Sequence, residues 1–179
     1  MKCLVFSDSH GVSFYMKKAI ECHKDAEAVF FLGDGIRDFH EISATFPDKA
    51  FIAVRGNCDF SYEINGVEVP KVDSITLEGK RIFLTHGDLY GAKYGTAGLE
   101  SFAEGRGADI VLFGHTHTPL ERYINTEEKY KDKLGEEDFL LPPSYYLLNP
   151  GSIGQGSPKT YGVLTLAESG VLFSIGKFL

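Results

Sequence analysis

The sequence predicts an α/β fold with a mixed β-sheet, and three features support this prediction. Apolar runs alternate with helical patterns over residues 1–54, which is the signature of βαβ units. Apolar and polar residues then alternate around glycine-containing turns over residues 61–84, which indicates antiparallel strands. Residues 110–113 form an uninterrupted apolar run, as is typical of a strand buried on both faces of a parallel sheet.

The first part of the chain predicts three parallel strands with two helices between them. The strands are expected at residues 2–7, 28–32 and 51–54. The first helix is expected at residues 13–23, with Phe14 and Ile20 on its buried side. The second is expected at residues 36–46, where Pro47 ends it. Right-handed crossovers should connect these strands.

The second part predicts shorter, mainly antiparallel elements. A turn at Asn65 and Gly66 joins two short pieces, and strands are expected at residues 72–77, 81–84, 110–113 and 145–148, with a helix at residues 96–104. The last twenty residues predict a hairpin of residues 161–166 and 171–175. Residues 121–137 are rich in Glu and Lys, so we expect an exposed excursion near residues 121–143.

Length and composition favour one cytoplasmic globular domain over residues 1–179. The chain is 43% apolar and 24% charged, which is ordinary for a soluble domain of this size. Its net charge of -7 argues against binding to a long nucleic-acid duplex. No apolar run approaches the ~18 residues of a membrane span, and the start is too weakly apolar for a signal peptide. Three cysteines without paired spacing fit a reducing compartment.

Metal-ligating side chains follow five separate apolar runs. Glycine lies close to each of them, and the strand ends of one sheet edge converge where α/β folds place ligands. His115 and His117 are two residues apart, so in an extended strand tip both side chains would face one point. The residues concerned are Asp8, His10, Asp34, Asn57, His86, His115 and His117.

This ligand set favours two transition-metal ions. Imidazoles and carboxylates without thiolates suit Mn, Fe, Ni, Co or Zn. Seven ligands are more than one ion with an open position would use, whereas two ions that share a carboxylate accommodate them. Two ions ~3.5 to 4 Å apart would hold a hydroxide for in-line attack on phosphorus.

The ordered motifs resemble the calcineurin-like metallophosphoesterase superfamily. The motifs that carry this resemblance are Asp8-Ser-His10, Gly33-Asp34, Gly56-Asn57, His86 and Gly114-His115-Thr-His117. The block at residues 56–59 and the Asn-Pro-Gly-Ser segment at residues 149–152 are similar to its small prokaryotic, YfcE-like phosphodiesterase branch. The resemblance implies a four-layer α/β/β/α sandwich with mixed sheets. It also implies two ligand sets bridged by Asp34, the first of Asp8, His10 and His117 and the second of Asn57, His86 and His115.

Further site residues are predicted around these ligands. The resemblance gives His86 and Asn57 a part in catalysis, because they fix the second ion and nearby oxygens. Many superfamily members carry histidine directly after the asparagine ligand, where this chain has Cys58. A thiol is a different proton donor from imidazole, so Cys58 favours phosphodiesters or activated aryl phosphates, although it is equally readable as an ordinary loop thiol. Arg55 and Ser152 are candidates for contacts with the substrate phosphate, and the alternatives are a solvent-facing Arg55 and a purely structural turn at Ser152.

The predicted function is therefore metal-dependent hydrolysis of small phosphodiesters, with manganese as the expected metal and Ni, Fe, Co or Zn as alternatives. Two other functions are compatible with the same motifs. One is a phosphomonoesterase or nucleotide pyrophosphatase. The other is a protein-binding scaffold like the eukaryotic retromer subunit that resembles this family, because a fold alone does not establish catalysis. Tyr145 and Tyr146, beside the charged excursion, are a candidate surface for self-association.

Overall fold

Two five-stranded sheets stack face to face in the computed structural model of the protein, which describes residues 1–60, 62–64, 66–135 and 140–179. Ser61 and Asn65, which belong to the predicted hairpin, and residues 136–139 of the predicted excursion lie outside the described residues.

The first sheet contains the amino-terminal βαβ units and the carboxyl-terminal hairpin. Its strands β1 (Lys2–Phe6), β2 (Ala28–Phe31) and β3 (Ala50–Ala53) are parallel, and α1 (Phe14–Cys22) and α2 (Ile36–Ser43) connect them. The hairpin of β11 (Lys159–Ala167) and β12 (Gly170–Phe178) joins antiparallel to β1. The strand order is therefore β12-β11-β1-β2-β3.

The second sheet contains the middle of the chain. Its order is β6-β7-β8-β10-β9, formed by β6 (Val72–Leu77), β7 (Lys80–Thr85), β8 (Ile110–Leu112), β9 (Pro119–Ile124) and β10 (Tyr145–Pro150). Strands β7, β8 and β10 are parallel, whereas β6 and β9 are antiparallel edge strands. The longest helix near this sheet is α3 (Ala97–Arg106). Shorter elements are β4 (Glu63–Ile64), β5 (Val67–Glu68), α4 (Thr126–Lys129) and the 3₁₀ turns Asp88–Tyr90, Ala92–Tyr94 and Lys131–Lys133.

Alternating side chains divide the interior into three apolar layers. Val5 of β1 and Leu84 of β7 belong to the layer between the sheets. Phe6, the next residue of β1, packs with the buried faces of α1 and α2, and Val111 of β8 packs with α3. Because successive side chains of a strand point to opposite faces, each sheet contributes to two layers. The predicted four-layer α/β/β/α sandwich with mixed sheets is confirmed.

Some local predictions were wrong. Phe14 is 55% exposed, whereas Ile20 is buried as predicted, together with Met16 and Ala19. The reason is that Phe14 is the first residue of α1, before the apolar stripe meets the sheet. The predicted excursion also begins with a strand, because β9 pairs with β10 along its whole length. An edge strand exposes much of its surface, so charged residues in it mask the apolar alternation.

The segment after β9 is attached to α3 by charged groups. Lys129 Nζ lies 2.8 Å from both Glu100 Oε2 and Glu104 Oε1. Tyr145, a residue proposed for self-association, is fully buried, and its hydroxyl donates to Glu104 over 2.8 Å. That tyrosine therefore stabilises the fold and does not offer an interaction surface. None of the helices in the described residues has the length and hydropathy required to cross a bilayer.

Candidate metal centre

The predicted ligands meet at the carboxyl ends of strands from both sheets. Asp8 and Asp34 follow β1 and β2 of the first sheet, whereas His86 and His115 follow β7 and β8 of the second. The sequence predicted convergence at the edge of one open sheet, and this was wrong. The centre instead lies where two stacked sheets bring their strand ends together.

Backbone strain is concentrated at this centre. Six non-glycine residues in the described part of the chain have φ in the left-handed region, and five of them are predicted ligands. Such conformations cost about 1 to 3 kcal/mol each and persist where the surroundings impose them, most often at functional sites. The five ligands are Asp8, His10, Asp34, His115 and His117.

Asp8, His10 and His117 form the first ligand group. Their potential ligand atoms all lie within 4.8 Å of one another. Nε2 of His117 lies 3.1 Å from Asp8 Oδ1 and 3.4 Å from His10 Nε2. The structure therefore brings together the three residues that the sequence placed around one ion.

Asp34, His86 and His115 form the second ligand group, again with ligand atoms within 4.8 Å of one another. His86 Nε2 lies 3.3 Å from Asp34 Oδ2 and 3.1 Å from His115 Nδ1. The same Asp34 oxygen lies 3.9 Å from His10 Nε2 of the first group. Asp34 thus stands between the two groups, which is the position that a bridging carboxylate requires.

His115 and His117 reach different groups because their backbone is not extended. The sequence predicted an extended tip from which both imidazoles face one point, and this was wrong. Both residues have left-handed φ, of 69° and 58°. This reversal of the chain sends His115 towards His86 and His117 towards Asp8.

Asp8 shows that the first group fits a cation. Its Oδ2 accepts hydrogen bonds from Ser7 Oγ over 2.6 Å and from the His115 N–H over 3.1 Å. Its Oδ1 is buried and has no hydrogen-bond partner among the described residues. Every other buried side-chain nitrogen or oxygen atom of the described residues has one. Three imidazole nitrogens lie within 3.9 Å of this oxygen, those of His10, His86 and His117. Since an unpaired buried carboxylate oxygen is costly, a metal ion that accepts its lone pair explains the arrangement.

Electrostatics keep the central carboxylate ionised. Burial alone would raise the pKa of Asp34, but the hydrogen bond and charge of His86, together with the Cys58 N–H, lower that pKa far below its usual range. For His86, burial alone would lower the pKa, but the carboxylates of Asp34 and Asp8 raise it. Burial and the neighbouring His86 lower the pKa of His115. Asp34 is therefore an anion at neutral pH, as a metal ligand must be.

Main-chain contacts orient the ligands from behind. His86 is fully buried, and its Nδ1 lies 2.7 Å from the carbonyl oxygen of Leu32, which leaves Nε2 facing the centre. Metal-binding histidines are commonly fixed in this way through their second nitrogen. Gly56 permits the close approach of the loop after β3, because a Cβ there would collide with the Asp34 carboxylate.

Asp59 is a residue that sequence reasoning did not assign to the site. Its carboxylate accepts four backbone N–H groups, over 2.7 to 3.0 Å. These bonds join the loop after β3 to the loop that carries Asp34 and to the start of α2. The donors are the N–H groups of Asp34, Gly35, Ile36 and Gly56. The available signal was an aspartate two residues after the asparagine ligand, but three of its four partners lie more than twenty residues away in the chain.

Asn57 and Cys58 lie at the exposed rim of the centre. The Asn57 side-chain amide donates to Cys58 Sγ over 3.2 Å. Cys58 Sγ and ligand atoms of His10 and Asp34 lie within 4.8 Å of one another. Burial and the nearby Asp34 raise the pKa of the Cys58 thiol to about 11, so the protonated form dominates at neutral pH.

Arg55 and Ser152 are engaged in contacts within the protein. Arg55 donates to Glu68 Oε1 over 2.9 Å and to the Val69 carbonyl over 3.1 Å, and neither partner is a predicted ligand. Ser152 is 1% exposed, and its hydroxyl donates to the Asp8 carbonyl over 2.8 Å and accepts from the Gln155 N–H. This geometry favours a structural role for Arg55 and a positioning role for Ser152 beneath Asp8.

A four-layer α/β/β/α sandwich with adjoining His and Asp ligand groups at its strand ends is the architecture of a metallophosphoesterase. A family model described as the calcineurin-like phosphoesterase superfamily domain matches residues 1–169, so the chain belongs to that family. The family is dimetal-dependent. The resemblance predicted from the motifs is confirmed.

Individual relatives agree with this assignment. The phosphodiesterase YfcE of Escherichia coli K12 is 31% identical, with 92% of this chain and 87% of that protein covered. A crystal structure of a predicted phosphoesterase from Streptococcus pneumoniae has a TM-score of 0.72 at 25% identity and covers 98% of this chain and 88% of that one. Wild-type Vps29 of Entamoeba histolytica, solved in complex with zinc, has a TM-score of 0.68 at 18% identity, with 99% of each chain covered, and shows the fold alone.

Proposed function

We propose that this protein is a metal-dependent phosphodiesterase that hydrolyses one P–O bond of a small phosphodiester. The observation that carries the proposal is that Asp34, which lies 3.3 Å from His86 in the second ligand group, also lies 3.9 Å from His10 in the first. Asp8, His10 and His117 would hold one divalent ion, and His86 and His115 would hold the other with Asn57. When bound, two such ions activate water and neutralise charge on the phosphoryl oxygens.

The chain's own groups would position the ions and the substrate phosphate. His86 is held by Leu32, so its Nε2 keeps one direction during the reaction. Asn57 is exposed at the rim, where its amide is accessible to both a cation and a phosphate oxygen. We therefore assign His86 and Asn57 to fixing the second ion and orienting the phosphoryl group, and Asp59 and Ser152 to supporting the loops of Asp34 and Asp8.

Cys58 is the side chain that we place beside the leaving group, because it lies close to ligand atoms of both groups. A thiol assists departure of a poor leaving group less than an imidazolium would. We expect Cys58→Ala to lower kcat for a phosphodiester with an alkyl leaving group by about tenfold, which is below the usual range for acid–base catalysis because a thiol is a weak acid, and to leave p-nitrophenyl esters within about twofold. Cys22→Ala, which removes another exposed thiol, is the control. If Cys58→Ala hydrolyses every substrate at the wild-type rate, Cys58 has no acid role.

Removal and return of metal tests the proposed activity. We expect a chelator to abolish hydrolysis of bis(p-nitrophenyl) phosphate, and Mn²⁺ or Ni²⁺ to restore it. The diester should be hydrolysed faster than p-nitrophenyl phosphate by the same preparation. Activity should also fall at acid pH, where the ligand histidines bind protons instead of metal.

The other outcomes correspond to other functions. Faster hydrolysis of the monoester would indicate a phosphomonoesterase, and exclusive activity on pyrophosphate bonds a nucleotide pyrophosphatase. Metal binding without turnover of any of these substrates would indicate a scaffold. The retained ligand groups favour catalysis, and we expect manganese as the native metal, a cytoplasmic location and a single catalytic domain.

A further inference from the structure

A groove of about 400 Å³ opens directly beside the metal centre. Arg37, Cys58, Phe60 and Tyr62 contribute side chains to its walls, and we call it the Phe60 groove. Ligand sites are concave, mainly apolar and about 300 to 1,000 Å³ in volume, so this space suits a small organic group.

The ring of Phe60 is exposed to solvent at the groove. Phe60 is 90% exposed, whereas seven other phenylalanines of the described residues are buried. Tyr62, on the same groove, is held by His40, whose Nδ1 lies 3.2 Å from the Tyr62 hydroxyl. A fixed ring and an exposed ring on one groove provide the surface on which a planar ligand stacks.

The Phe60 groove is continuous with the reacting centre. Cys58 lines the groove, and its Sγ lies within 4.8 Å of ligand atoms of His10 and Asp34. A phosphate held at the centre would therefore place one of its ester groups at the mouth of the groove. The occupant must accordingly be part of the same molecule as the phosphate.

The charges along the groove are compatible with an anionic ester. Asp59 directs its carboxylate to four backbone N–H groups, and Asp38 accepts from Ser9 Oγ over 2.6 Å and from the Gly11 N–H over 2.8 Å. The dipoles of these donors partly offset the negative potential of the two carboxylates. Arg37 is exposed on the same groove and provides a cation that suits a phosphate oxygen.

We propose that the Phe60 groove binds the planar aromatic ring of one ester group, and that the substrates of this protein are nucleoside phosphodiesters. The ring stacks on Phe60 while the phosphate lies at the metal centre. This inference rests on the proposed function, because it names the substrate class of the same site. Base stacking on one aromatic side chain increases affinity by roughly tenfold or more.

Binding of two inert phosphonates tests the proposal. The ring probe is the phosphonate analogue of thymidine 5′-monophosphate, whose P–C bond cannot be hydrolysed as an ester, and the ring-free probe is methylphosphonate. We expect the manganese-loaded protein to bind the ring probe at least tenfold more tightly by calorimetry. Phe60→Ala should abolish most of this difference and leave methylphosphonate within twofold.

The chain contains no tryptophan, so a single introduced tryptophan gives a direct optical readout. In Phe60→Trp, the ring probe should quench the fluorescence saturably, whereas methylphosphonate should not. Leu172→Trp is the matched control. Leu172 is 66% exposed, and its cross-strand neighbour Thr165 pairs with Lys2 at the opposite end of β1 from Asp8.

The outcomes separate the groove from the proposed activity. Equal affinities for the two probes, or a preference for the ring probe that survives Phe60→Ala, would overturn the proposal that the Phe60 groove binds a ring. This holds even if metal-dependent diester hydrolysis is observed. Ring-dependent quenching without hydrolysis of any diester would uphold ring binding at the groove and overturn the proposed phosphodiesterase activity. Metal-dependent hydrolysis of bis(p-nitrophenyl) phosphate, together with a preference for the ring probe that Phe60→Ala removes, would support both.

Discussion

Replacement of Asp34 by asparagine is expected to lower kcat/KM for bis(p-nitrophenyl) phosphate by about 10³-fold. The carboxylate lies between the two ligand groups, 3.3 Å from His86 Nε2 and 3.9 Å from His10 Nε2. A neutral amide cannot supply an anionic oxygen to two cations, and losing several kcal/mol of charge stabilisation corresponds to a rate loss of this size. Steady-state kinetics at saturating Mn²⁺ measures the loss.

The same variant should lose metal as well as activity. We expect Asp34→Asn to retain about one ion per chain after gel filtration, because Asp8, His10 and His117 remain intact. Asp48→Asn is the control, since the Asp48 side chain is 73% exposed and its ion-pair contact, to Lys49 Nζ, is long at 3.7 Å. Wild-type activity and two retained ions in Asp34→Asn would mean that this carboxylate does not bridge.

Asp59→Ala is expected to have the second largest effect, although Asp59 is not a predicted ligand. Four backbone N–H groups would lose their acceptor, including those of Asp34 and Gly56. From the cost of unpaired donors and of a lost helix cap, we expect the free energy of unfolding to fall by about 2 to 4 kcal/mol. Metal affinity should fall about 10- to 100-fold, as is typical when the support of a ligand is removed.

Two variants distinguish positioning from a general loss of stability. Asp59→Asn retains one acceptor oxygen, so both its stability and its metal affinity should lie between those of wild type and Asp59→Ala. Asp48→Ala removes an exposed carboxylate and should change neither quantity measurably. If Asp59→Ala binds Mn²⁺ as tightly as wild type under conditions where it is folded, the proposed support of the Asp34 loop is wrong.

The α/β class and most elements were predictable because local patterns determine them. Buried strands such as β1 and β8 are continuous apolar runs, and period-2 alternation marks the antiparallel pieces. The edge strand β9 was not predicted, because its charged sequence lacks that alternation and its position depends on pairing with β10. Propensity and periodicity describe one segment at a time, whereas sheet edges are determined by partners elsewhere in the chain.

The candidate site was also predictable only in part. The identities of Asp8, His10, Asp34, His86 and the residues around His115 could be predicted because each follows an apolar run in a recognisable motif. Their orientations could not, since five of the ligands have left-handed φ, which local apolar patterns do not specify. The roles of Asp59 and Ser152 were hidden for a related reason, because their hydrogen bonds reach residues 3 to 25 positions away for Asp59 and 144 away for Ser152.

Electron paramagnetic resonance of the protein loaded with two equivalents of Mn²⁺ tests the central claim most directly. If Asp34 joins the two ligand groups, the spectrum should show two exchange-coupled ions, and Asp34→Asn should replace it with the six-line signal of isolated Mn²⁺. A wild-type spectrum of isolated Mn²⁺ only, with one ion bound per chain, would contradict the account.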